Sequence, residues 1–96
     1  MDRQTAIATA TRIIEDLNSL LPIYDTREDG HDTLINAIAA TDAIKGDLLV
    51  QEDWAEPNPL IHALEHIRNL CDAPFFNADR RVSIRDIADK AIRGKA

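Results

Sequence analysis

One cysteine, four aromatic residues and three glycines are all that this 96-residue chain holds of those types, and each shortage removes a class of structure. The single cysteine, Cys71, can form no intrachain disulfide, and a lone thiol fits a reducing compartment. The glycines at 30, 46 and 94 stand alone, so there is no glycine-rich loop to cradle a phosphate. Few aromatics argue against strands, and isoleucine, the one β-branched residue in quantity, recurs at helical rather than alternating spacing. No apolar run approaches the ~20 residues that span a bilayer. The opening Met1-Asp2-Arg3-Gln4-Thr5 lacks the basic flank and apolar run of a signal peptide. The expectation is a cytoplasmic protein of a bacterium or phage, with no membrane contact.

Basic residues are also short, 11 against 17 acidic, for a net charge of −6. The deficit is uneven. Residues 1–78 carry 5 basic and 14 acidic side chains, whereas residues 79–96 carry 6 basic and 3 acidic. An acidic body repels phosphate and disfavours general nucleic-acid binding.

What is present in quantity is alanine, leucine and isoleucine at helical spacing. Ile7, Ala10, Ile14, Leu17 and Leu21 mark the apolar stripe of a helix over about 2–21, widened by Ala6, Ile13 and Leu20 and stopped by Pro22. A polar loop, Asp25 to Gly30, follows Ile23 and Tyr24, with Tyr24 read as a lid over the end of the bundle. A second helix is expected over about 33–54, with Leu34, Ile38, Thr41, Ile44 and Leu48 on one face and Ile35, Ala37 and Leu49 beside it. Gly46 either lies inside that helix at a cost of ~1 kcal/mol or breaks it, and the phase of Leu48 favours continuity. Asn58 as N-cap and Pro59 at the first helical position start a third helix over 59–72, with Leu60, Ala63, Leu64, Ile67 and Cys71 inward. A fourth, over 84–93, opens on a Ser83/Asp86 capping pair with Val82 and Ile87 placed as a hydrophobic staple. The fold class is therefore all-α, a small bundle of four helices with short connections, in a single domain over 1–96.

Few residues suggest chemistry. His62-Ala63-Leu64-Glu65-His66 matches the H-x-x-E-H string of inverted zinc metallopeptidases, in which two imidazoles on one helical face hold zinc and the glutamate is the general base. A third ligand has no identifying spacing, so His62 and His66 stand as weak metal candidates at the edge of the third helix. Cys71 lies on the apolar stripe and reads as a small buried hydrophobe. Asp25, Glu28, Asp29 and Asp32 do not follow the ligand series of an EF-hand. The stretch Val82-Ser83-Ile84-Arg85-Asp86-Ile87-Ala88 resembles the opening helix of repressor headpieces of the lactose-repressor type. That resemblance spans about ten residues, and the sequence ends at Ala96 with no recognition helix after it, so base reading is not carried over.

Trp54 stands among Glu52, Asp53 and Glu56, and Phe75 and Phe76 are adjacent. The first reading is that Trp54 caps the junction between the second and third helices and one Phe closes the bundle; the second is that one or more form a partner-binding or dimer patch. With no catalytic constellation and no cofactor motif, the leading expectation is a non-enzymatic helical interaction protein: an adaptor, an inhibitor, an immunity-type or a phage accessory protein, with homodimerisation as one version. Its contact candidates are Trp54, Phe75, Phe76, Arg80, Arg81 and Arg85. The alternatives are a nucleic-acid-linked regulator, touching phosphate through the basic end or imitating DNA with the acidic body, and a metal-dependent hydrolase at His62, Glu65 and His66.

Overall fold

The structure is a computed structural model that describes residues 2–23, 29–55, 57–71, 86–90 and 93. These residues are helical apart from short connections, and no strand occurs among them. Helix α1 spans Arg3–Leu20 and runs into a 3₁₀ turn at Leu21–Ile23. Helix α2 spans Asp29–Val50 and α3 spans Pro59–Cys71.

Helix α1 begins where its sequence supplies a cap. Asp2 is extended, at φ −79° and ψ 172°, and its Oδ1 accepts the Thr5 N–H at 2.7 Å. One of the four orphan donors of the first turn is thereby satisfied. At the other end the Leu21 N–H reaches the Asn18 carbonyl, and Pro22, which has no N–H to offer, falls in the tightened turn that follows.

The buried residues of α1 are Ala6, Ala10, Ile13 and Leu17. The stripe is thus rotated from the expected Ile7, Ala10, Ile14, Leu17 and Leu21; Ile7 and Leu21 are half-buried at the edge of the core, and Ile14 is also half-buried. With alanines at the centre, the backbone of α1 can lie close to its neighbour.

Helix α2 departs from expectation at both ends. It starts at Asp29, about four residues early, so Gly30 lies within the helix instead of ending a loop. Asp32, in the first turn, suits the positive end of a helix. It passes through Gly46 unbroken and stops at Val50, so Trp54 belongs to the connection that follows. No base of its own lies in its last turn. The Arg3 side chain fills that role: its Nε donates to the Leu48 carbonyl at 3.3 Å and its Nη2 to the Leu49 carbonyl. The start of α1 therefore meets the end of α2, and the two helices are antiparallel.

Asn58 anchors α3 as the sequence implies. Its Oδ1 accepts the Leu60 N–H at 2.9 Å and its carbonyl accepts the Ile61 N–H at 3.0 Å, with Pro59 in the first helical position. Its Nδ2 also donates to Gln51 Oε1 at 2.8 Å, which ties the exit of α2 to the entry of α3.

One core cluster joins the three helices: Ala6, Ala10, Ile13 and Leu17 from α1, Leu34, Ala37, Ile44 and Leu48 from α2, and Leu60, Ile61, Ala63, Leu64 and Ile67 from α3. Thr41 is buried among them, its hydroxyl donating to the Ala37 carbonyl at 2.7 Å. A helical segment at 86–90 adds Ala88 to the core, with Ile87 packed beside it. The rest of the expected fourth helix, apart from Arg93, lies outside the described residues, as do Tyr24 and Ser83. No helix among the described residues is long and apolar enough to cross a membrane.

Candidate interaction surface

The histidine string falls on the outer side of α3. His62 and Glu65 are both more than half exposed, with His62 Nδ1 and Glu65 Oε2 4.0 Å apart, and His66 is exposed one turn on. The two histidines line a shallow groove of about 300 Å³ with Pro59, Ala63, Ile87 and Lys90. A metal site needs further ligands and a field that favours a cation. Among the described residues no group of three or more His, Cys, Asp and Glu side chains is placed to hold a metal ion. The Lys90 ammonium, on the same groove, adds a like charge that a divalent cation would oppose.

Trp54 is half-buried and packs against the core at the junction after α2. Its Nε1 is shielded from solvent and has no hydrogen-bond partner among the described residues. Its ring therefore packs at the junction the sequence reading named for it. Cys71 is the last residue of α3, and the burial expected for its thiol lies outside what is described. Phe75, Phe76, Arg80, Arg81 and Arg85, the other expected contact residues, lie outside the described residues.

The surface that stands out is one the spacing argument passed over. The large hydrophobics exposed among the described residues are Ile35 at 45%, Leu49 at 51% and Val50 at 67%, and all three are on α2. At 100° per residue they share one side, opposite the buried Leu34, Ala37, Thr41, Ile44 and Leu48. Between them the same side carries the exposed Ala39, Asp42, Ala43 and Gly46. From Ile35 to Val50 this outward stripe holds a single charge, Asp42. A surface helix ordinarily turns a polar face to water, whereas α2 carries apolar residues on its outward as well as its inward side. Gly46 adds to the openness, since a Cβ built there would meet nothing within 4 Å.

A signal for this surface is present in the sequence. Ile35 and Leu49 appear as flanks of the second helix, and Ala39, Ala43 and Gly46 fill the side away from the core where lysine or glutamate is usual. No protein-family model, curated protein or solved structure matches this chain.

Proposed function

We propose that this chain is a four-helix bundle that works in the cytoplasm by binding another macromolecule, without catalysis. The observation that carries the reading is the outward face of α2, a largely apolar stripe from Ile35 to Val50 interrupted by Asp42, on an otherwise acidic body. Isolated surface hydrophobics are ordinary, but contiguous ones mark contact sites. Leaving three branched aliphatic side chains about half in water forgoes roughly 1 kcal/mol apiece, which a docked partner would recover. Support for a fourth helix over 84–93 comes from the helical segment at 86–90 and the seat of Ala88 in the core.

The reading against catalysis rests on the described polar groups. His62 and His66 line an open groove, Glu65 is exposed beside His62, and the buried polar side chains Thr41 and Asn58 spend their hydrogen bonds within the fold. The test pairs the wild-type chain with an Ile35→Glu/Val50→Glu double variant. Both sites are exposed, so the helical circular dichroism spectrum should be unchanged. Association, read by sedimentation and by affinity capture, should be present in the wild type and lost in the variant. A wild-type chain that associates with nothing, itself included, overturns the proposal.

A further inference from the structure

We propose that the outward face of α2 is a dimer interface, at which a second copy of this chain docks antiparallel about a two-fold axis passing between Asp42 and Ala43. The inference rests on the interaction reading above and names its partner.

The argument is the symmetry of the stripe. At 1.5 Å per residue, Ile35 and Val50 stand equally far from that axis, about 11 Å along the helix on opposite sides. Ala39 and Gly46 stand about 5 Å from it, and Asp42 and Ala43 flank it. At 3.6 residues per turn Ala39 and Gly46 lie about 20° apart around the helix and Ile35 and Val50 about 60° apart, so both pairs share the outward face. When a second α2 is laid across the first, Ile35 of one copy therefore comes between Leu49 and Val50 of the other. Ile35 of one copy and Leu49 and Val50 of the other, each left in water by the single chain, then form one cluster, repeated at each end of the contact. In the middle, where two helices must approach most closely, both copies offer Ala39, Ala43 and Gly46. Small residues there permit the short end of the 8–10 Å range of interaxial distances. The glycine, whose missing side chain meets no atom of its own chain, acquires a reason.

The charges obey the same operator. Asp42 and Lys45 lie toward one rim of the stripe, and neither makes an ion pair among the described residues. The two-fold brings both copies' rims together and orders them Lys45, Asp42, Asp42, Lys45. The backbone of each Lys45 then stands about 3 Å further along the helix than that of the other chain's Asp42, within a side chain's reach. Without those lysines two like charges would face each other; with them the rim is neutral. A partner of unrelated shape has no cause to match large with large, small with small and acid with base about one point.

Two measurements test this. Sedimentation equilibrium should show a reversible dimer for the wild-type chain. Ala43→Arg, at an exposed helical position that tolerates arginine, should weaken the dimer at least a hundredfold with an unchanged helical spectrum. Disulfide trapping then fixes the geometry. In a Cys71→Ala background, Ala43→Cys places two thiols beside the axis and should cross-link under mild oxidation. Ala39→Cys holds them about 10 Å apart along the helix, beyond the 3.5–4.5 Å between bridged Cβ atoms, and should not.

Equal cross-linking at both sites would mean a parallel pair and overturn the antiparallel axis. A dimer indifferent to Ala43→Arg would overturn the location. A wild-type chain that stays monomeric at every concentration while capturing a different protein through α2 overturns the second copy and spares the interaction reading. Monomer with no capture overturns both.

Discussion

At the scale of single residues, Asp2 has a measurable signature. It is exposed, yet hydrogen bonds from Thr5 hold its carboxyl below the ordinary value of 3.8. A carboxylate with a depressed value in the folded state contributes stability that is complete above the unfolded value and disappears as pH falls through the folded one. The melting temperature of the wild type should therefore exceed that of Asp2→Ala at neutral pH, with the gap closing as pH drops below 3.8. Asp2→Asn, whose amide oxygen accepts the same bond but does not titrate, should keep its advantage over Asp2→Ala throughout. Thermal melts of the three proteins between neutral and strongly acidic pH decide it. A wild-type advantage unaffected by acid would mean that the Thr5 bond is not what the carboxylate contributes. Thr41 shows the opposite case, a buried hydroxyl satisfied inside its own helix and therefore compatible with the core around it.

At the scale of helices, the connection between α2 and α3 depends on one side chain. Asn58 is buried, caps α3 through its oxygen and grips Gln51 through its nitrogen. Asn58→Ala removes both bonds, and about 1–2 kcal/mol of stability should go with them. In a domain of this length each kcal/mol lowers the melting temperature by roughly 4–8 °C. A loss within the scatter of replicate melts would refute the dual role. The start of α3 was legible because Asn58-Pro59 states its backbone geometry in the residues themselves. Helix α1 was legible as an element but not in phase, since Ile7, Ile13 and Ile14 are equally apolar and only the approach of α2 decides that the alanine side faces inward. Helix α2 was the least legible. Its apolar residues lie on its outward as well as its inward side, so periodicity could not say which face is covered, and the outward stripe was read as a flank. The hydrogen bonds from Arg3 to α2 span more than forty residues, and no local pattern announces a contact of that range.

At the scale of the molecule, the protein measures 42 × 21 × 19 Å, about twice as long as it is wide. Helix α2, 22 residues and therefore about 33 Å, occupies most of that length. A pair joined along α2 lies side by side, so the dimer gains width and little length. Small-angle scattering on the associated form should give a maximum dimension near that of one protomer, while the scattering mass doubles. A maximum dimension near twice 42 Å would mean end-to-end contact and exclude the α2 face.

The clasp between Arg3 and the end of α2 has a consequence for how the fold breathes. The first turn of α1 and the last turn of α2 are both chain ends of helices, the places where opening ordinarily begins independently. Joined through one guanidinium, they should open together, and native-state amide exchange of the two turns should slow or quicken in step, with Arg3→Ala uncoupling them. Leu49 and Val50 belong to the second of those turns, so the order of the far end of the apolar stripe is set by a side chain at position 3.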